Sequence, residues 1–307
     1  MPGSLLVLKP LPPFSLGLTV WALRRSPHNE VDRWDGRTYS RIFVLHGTAV
    51  KVTVSQAGTP GRSELHLTVD AENGVPGSVQ AEISATIGRI LSLQVDLTGF
   101  YAFAEGNDLL RPLVRQFTGM KPPRFAAIFE ALVNAVSCQQ VTLDLGIALL
   151  NRLARAHGRA FREGDTVLHA FPLPEDLARL VPDDFRQLGY SRSKGRAIIG
   201  LAQEALRGTI DQGVLERMDD AAAAASLSRL RGIGRWSAEY VLLRGLGRTH
   251  LFPTGDVGAQ RSLRSFLGLA ADSDIEQLAR VTSGWQPYAG LIYFHFLLGK
   301  LKRRGYL

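Results

Sequence analysis

Residues 230–247 read LRGIGRWSAEYVLLRGLG, a Gly-Ile-Gly set between two apolar stretches, the second opening with Arg235 and Trp236. The pattern predicts a helix ending near Leu230, a hairpin through Gly232, Ile233 and Gly234, and a second helix from Arg235. The first amides of that second helix have no intrahelical acceptor, and such a terminus favours an anion. Glycine turns with positive φ and lets the backbone approach a phosphate with no Cβ in the way, while Ile233 tucks into the groove between the helices. A Gly-x-Gly turn also serves as a plain connector between helices. The stretch alone leaves both uses open.

Working outward from the hairpin, the chain changes character once. From Phe14 to about Asp70 the pattern is strand-like: RIFVLHG and AVKVTVSQ alternate β-branched and polar residues, and LHLTVD follows the Gly/Pro-rich AGTPGRS. These predict a small antiparallel sheet. SVQAEISATIGRILSL then places Ile83, Ile87, Ile90 and Leu91 at helical spacing. After Lys121-Pro122-Pro123 strands are expected to vanish, and helical segments run to the end, among them RFAAIFEALVNAVSCQQ, LDLGIALLNRLARAHG, SKGRAIIGLAQEALRG and AGLIYFHFLLGKLKRR. The expectation is an α+β N-terminal domain over 1–120 followed by an all-α core over 121–307.

Composition narrows the classes. The 307 residues, 45% hydrophobic, suffice for a substantial core. No apolar run reaches the roughly 18 residues that span a bilayer, and the start MPGSLLVLKPLPP lacks a charged segment followed by a long apolar one, so an intracellular protein is expected. One cysteine, Cys138, excludes a disulfide framework and a cysteine-ligated iron–sulfur cluster within this sequence. The net charge of +8 favours a polyanionic partner.

About twenty residues beyond the hairpin stands HLFPTGDVGAQRSL, with Asp256 after Pro253-Thr254-Gly255. Hairpin and loop together resemble the helix-hairpin-helix superfamily of DNA base-excision glycosylases. FEALVNAVSCQQVT (129–142) is similar to that family's helix leading into a Gln-Gln-Val segment, FRQLGYSRSKGRAIIGLA (185–202) to its Leu-Gly-x-Ser-x-x-Lys stretch, and WQPYAGLIYFHFLL (285–298) to its Trp-x-Pro-Tyr helix. PPFSLGLTVWALRR and DRWDGRTYSRIF resemble the β-rich N-terminal domain of the 3-methyladenine DNA glycosylase II branch. The resemblance covers nearly the whole chain. It implies a hairpin at about 225–245 and a catalytic loop at about 250–258.

Residue types then separate the branches. Bifunctional relatives carry a nucleophilic lysine two positions after the hairpin's last glycine; here that position is Trp236, and an indole forms no Schiff base. The resemblance implies a monofunctional enzyme that removes alkylated purines, 3-methyladenine among them, from double-stranded DNA. Asp256 is the expected catalytic residue, a carboxylate that stabilises an oxocarbenium ion or orients water. It is also a natural N-cap for VGAQRSLRSFL, and the two roles are compatible. A base that already carries a positive charge leaves readily, so no general acid is obligatory.

By the same resemblance Trp236 and Tyr240, four apart on one helix face, line the base pocket, although core packing would place such a pair equally well. Val257 and Leu297 stand where the family presents aromatic rings, with Tyr293, Phe294 or Phe296 as substitutes, and Trp21 is a further candidate wall. Gln139 and Gln140 lie where the family presses a wedge into the stack, Gln140 being the expected plug and a solvent-facing helix end the alternative. Phosphates fall to the amides of Gly232, Gly234 and Trp236 and to Arg235 and Lys194. No cofactor is expected beyond a structural monovalent cation on the carbonyls of Ser228, Leu230 and Ile233. A monomer is expected, with the nucleoid as its place if bacterial and the nucleus if eukaryotic. The alternatives are a noncatalytic damaged-DNA-binding protein and a glycosylase for deaminated or oxidised bases.

Overall fold

The computed structural model describes residues 4–71, 77–270 and 274–307. Strands β1 (Ser4–Leu8), β2 (Arg33–Trp34), β3 (Thr38–Leu45), β4 (Thr48–Thr59) and β5 (Arg62–Ala71) form an antiparallel sheet in the order β1-β5-β4-β3-β2. The β3–β4 turn is the two-residue His46-Gly47, with φ of 49° and 79°, a handedness that matches the twist of the strands it joins. Alternation sends Val50, Val52 and Val54 of β4 and Leu65, Leu67 and Val69 of β5 to one face. There they meet Phe14, Val20 and Leu23 and the Ile83, Ile87 and Ile90 face of α2 (Gly77–Ile90). Each such side chain contributes roughly 1.5–3 kcal/mol by leaving water.

Two expectations are corrected. The strand-like reading from Phe14 fails at its start, because α1 (Leu16–Arg24) forms a helix capped by Ser15. Leu16, Thr19, Val20, Ala22 and Leu23 are all buried, since α1 is wedged between the sheet and the helices and so lacks a polar face that would reveal a helical period. Strand β1, before Phe14, was likewise not expected. Nor do strands vanish after Pro123: β6 (Ala160–Glu163) and β7 (Thr166–His169) pair through a two-residue turn at Gly164-Asp165, with Gly164 at φ 57°.

The helices follow in chain order: α3 (Thr98–Glu105), α4 (Leu110–Gln116), α5 (Ile128–Cys138), α6 (Leu143–His157), α7 (Pro174–Leu177), α8 (Pro182–Gln187), α9 (Arg192–Leu206), α10 (Gln212–Arg217), α11 (Asp220–Ser228), α12 (Arg235–Arg244), α13 (Val257–Leu267), α14 (Ile275–Ser283) and α15 (Ala289–Arg303). α5 is buried over Ile128–Ser137 and is the hub for α6, α9 and α12. α12 comes close because its C-terminal residue neighbour is Gly245, where a Cβ would stand 3.1 Å from Ala131 Cβ. A second apolar cluster joins α3 and α4 to α13, α14 and α15.

Buried polar ties fasten the sheet layer to the helices. Arg41 of β3 donates to Asp32 at 2.9 Å and to Glu130 of α5 at 2.5 Å, and the Tyr39 hydroxyl donates to the same Asp32 oxygen at 2.9 Å. Arg244 at the end of α12 donates to the Ala22 carbonyl at 2.8 Å, closing the last turn of α1. Among the described residues no helix is long and apolar enough to cross a membrane.

Candidate active site

The sequence folds as a hairpin where its glycines require it. Gly232 has φ 83°, and a Cβ there would lie 2.6 Å from the Ala197 Cβ of α9. Ile233 is 4% exposed between the helices. Gly234 is the N-cap of α12 and supplies no side-chain acceptor, so the first amides of α12 face outward without a cap.

Across from that terminus stands Asp256, N-cap of α13. Its Oδ1 accepts the Ala259 N–H at 2.8 Å, and its Oδ2 accepts the Trp236 indole N–H at 3.4 Å. Glu239 ties the same two segments together: it pairs with Arg235 at 2.9 Å and accepts the Gly255 N–H at 3.3 Å. The carboxylate is thereby held by backbone and side chain at once, half-buried beside the mouth of α12.

Behind Trp236 lies Tyr240, ring centroids 5.5 Å apart. Burial pushes the Tyr240 hydroxyl pKa up, with Arg25 and Arg244 opposing, and burial also raises that of Tyr293, to which Asp256 adds. Arg25 donates from Nη1 to Tyr240 Oη at 2.7 Å and from Nη2 to Asn134 Oδ1 at 2.5 Å. Burial works against its charge, but Tyr240, Cys138 and Tyr293 raise its pKa on balance. The arrangement is a carboxylate beside an aromatic stack, backed by buried guanidinium groups, next to a helix terminus suited to phosphate.

A family model described as HhH-GPD superfamily base excision DNA repair protein matches residues 133–287, which hold both the hairpin and Asp256. The chain belongs to this superfamily. Among HhH-GPD relatives, DNA-3-methyladenine glycosylase of Bacillus subtilis is 29% identical over 214 residues, covering 70% of this chain and 71% of its own. DNA-3-methyladenine glycosylase 2 of Escherichia coli is 27% identical over 234 residues, 76% of each chain. The solved 3-methyladenine DNA glycosylase of Archaeoglobus fulgidus superposes with a TM-score of 0.81 at 22% identity, covering 95% of this chain and 97% of that one, a likeness of fold.

Within this HhH-GPD chain the expected site residues fall into distinct places. Asp256, Trp236 and Tyr240 come together, and Gln139 joins them to the hairpin by donating to the Gly232 carbonyl and the Ser237 hydroxyl, both at 2.8 Å. Gln140 is exposed, with φ 52°. Lys194 donates to the carbonyls of Ser137 and Gln139 at 3.0 and 2.8 Å, and burial lowers its pKa. Arg235 points outward, its side chain 83% exposed. Val257 is 57% exposed, Leu297 packs half-buried in the cluster of α13–α15, and Trp21 stacks on Tyr306 with centroids 6.0 Å apart. Arg25 and Asn134 were not foreseen; no spacing rule singles out the second of two adjacent arginines at a helix end.

Proposed function

We propose that the protein is a monofunctional DNA glycosylase that flips out an alkylated purine, 3-methyladenine or a related base, and hydrolyses its bond to deoxyribose. The observation that carries this reading is Asp256, a carboxylate fixed between the α13 terminus and the Trp236 indole; in this reading it faces the sugar, where breaking the bond leaves positive charge. The superfamily membership and the names of the relatives support it. A neutral residue such as asparagine would cap α13 about as well, so a protein that only bound phosphate has no use for a negative charge beside its anion-binding terminus.

In this reading the exposed Gln140 fills the gap left by the flipped nucleotide in double-stranded DNA, and the amides of Gly232, Gly234 and Trp236, with Arg235, hold a phosphate. Trp236 and Tyr240 stack on the base, whose cationic ring is drawn to their faces. With the charge already on the base, cleavage at C1′ leaves a neutral purine; Asp256 steadies the sugar cation and orients the water that closes it. Trp236 offers no amine, so the strand stays intact. The carbonyls of Ser228, Leu230 and Ile233 would hold a structural monovalent cation, hard oxygen donors at a helix end; Leu230 already accepts the Ile233 N–H at 3.1 Å and keeps one lone pair. The protein acts as a monomer on DNA in this scheme.

The test is base release, assayed apart from strand cleavage, on duplex DNA carrying one alkylated purine. Release by wild type, with breaks only after alkali, and none by Asp256→Asn is the expected result. Binding without release across a panel of lesions overturns the proposal.

A further inference from the structure

A cavity of about 510 Å³ opens between the end of β1, the C-terminal half of α2 and the segment that leads into α5. Leu8, Leu93 and Val95 give it an apolar wall, and Arg89 and Arg124 line it from two separate segments. Arg89 stands in the last turn of α2, where a cation suits the helix dipole. That accounts for one charge and not for the second brought beside it. Arg124 is seated against Gly247, whose φ of 75° and missing Cβ make room for the guanidinium; a Cβ there would stand 2.1 Å from Nε. Arg89 donates from Nη2 to the Ala126 carbonyl, and its Nη1 is buried with no partner. Among the described residues Arg124 donates no side-chain hydrogen bond, and neither arginine pairs with a carboxylate. Glu130 is held by Arg41, and Lys9 at the rim pairs with Glu64 at 3.3 Å. Burial lowers the pKa of both arginines, and the charge of Arg124 lowers that of Arg89 further. Two desolvated like charges beside open space are costly until an anion joins them.

The cavity lies at the far end of the helices from the hairpin. α5 and α12 pack antiparallel: at one end Gln139 donates to the Gly232 carbonyl, and at the other the Phe125 N–H donates to the Arg244 carbonyl while Arg124 lies on Gly247. α5 spans Ile128–Cys138, so about 15 Å of helix separates the cavity from the hairpin and from Gln140. We propose that this cavity is a binding site, separate from the active centre, for a small organic phosphate of nucleoside monophosphate size, its phosphoryl group bound by Arg124 and neutralising Arg89, its organic body against Leu8, Leu93 and Val95. The planar fork of Arg124, free of other acceptors, matches two phosphoryl oxygens, and the second guanidinium beside it favours a dianion over a monoanion. The volume exceeds what a bare phosphate fills and falls among those of small-molecule sites, roughly 300–1,000 Å³. Gly88 keeps the space open: a Cβ there meets no atom within 4 Å, although glycine is a poor residue for a helix interior.

Titration calorimetry and thermal melts at fixed ionic strength are run on the full chain with the 5′-monophosphates of adenosine, guanosine, cytidine and uridine, with adenosine and with inorganic phosphate. At least one nucleotide is expected to bind and raise the melting temperature, inorganic phosphate to bind markedly more weakly, and adenosine not to bind. Arg124→Gln is expected to weaken nucleotide binding by about 10–100-fold. Gly88→Leu fills the cavity without touching a charge; it is expected to melt no lower than wild type and to abolish binding, and it decides the matter if Arg124→Gln does not fold. Asp256→Asn is expected to bind the nucleotide as wild type does. No binding by any nucleotide, binding of adenosine or of inorganic phosphate as tight as that of the nucleotide, or unchanged affinity in either folded cavity variant overturns the inference. Loss of binding in Asp256→Asn places the nucleotide in the active centre and overturns it as well. None of these outcomes touches base release, so the glycosylase reading stands or falls by its own test.

Discussion

The Asp256 carboxylate is divided between two duties: Oδ1 accepts the Ala259 amide at 2.8 Å as the N-cap of α13, and Oδ2 faces the Trp236 indole N–H at 3.4 Å. Asparagine caps a helix about as well as aspartate but carries no charge. Asp256→Asn is therefore expected to melt within a degree or two of wild type while base release falls by about 10²–10³-fold. Asp256→Ala loses the cap as well and costs about 1 kcal/mol of stability. Paired thermal melts and single-turnover release check both; an Asn variant that keeps wild-type release removes Asp256 from the chemistry.

Gln140 separates function from stability in the opposite sense. It is exposed and sits at φ 52°, where glycine is at ease and other residues are strained. Gln140→Gly should leave the melting temperature unchanged or slightly higher, yet reduce base flipping, read as the fluorescence rise of 2-aminopurine placed beside the lesion. Unchanged fluorescence would return Gln140 to the role of a solvent-facing helix end.

The hairpin was legible because backbone chemistry writes it into residue types, Gly232 having to turn and Gly234 having to leave a terminus open, and the loop that holds Asp256 was legible by its resemblance to the family's. Helix α1 was illegible for the converse reason: Leu16, Val20 and Leu23 do stand at helical spacing, but the partly exposed positions between them, Gly17, Leu18 and Trp21, are apolar too, so no polar face sets the period off. Lys194 shows a third limit. Its bonds to the carbonyls at the end of α5 are brought about by tertiary folding, which neither its charge nor its motif reveals. Arg24 and Arg25 are adjacent and alike in sequence, and only the left-handed turn at Arg25 sends one guanidinium to Tyr240 while the other reaches the Trp34 and Pro27 carbonyls.

Lys194 and Arg235 give a contrast in DNA binding. Lys194→Met keeps the aliphatic stem but strands the carbonyls of Ser137 and Gln139, and should cost about 1.5–3 kcal/mol in a denaturant titration. It should leave the salt dependence of DNA affinity nearly unchanged. Arg235→Gln should do the reverse, with little change in stability and a salt slope reduced by about one. A reduced slope for Lys194→Met would show that Nζ leaves the carbonyls for a phosphate when DNA binds.

His295, buried in α15, sets an acid limit on stability. It lies 5.2 Å from the Phe100 ring, its Nδ1–H donates to the Leu291 carbonyl at 2.8 Å, and Nε2 is buried without a partner. Burial lowers its pKa from 6.5 to about 4. Between those values the unfolded chain binds a proton that the folded chain does not, so stability rises with pH across the window. On acidification the loss begins near pH 6.5, grows to roughly 3 kcal/mol as pH approaches 4, and stops growing below that. His295→Met removes the titrating group, so the difference between variant and wild type isolates this contribution from the carboxylates that protonate nearby in pH. Chemical denaturation at pH 7, 5.5 and 4.5 should show wild type losing stability relative to His295→Met at each step. Parallel curves would mean that His295 takes up its proton as readily in the folded chain as in the unfolded one.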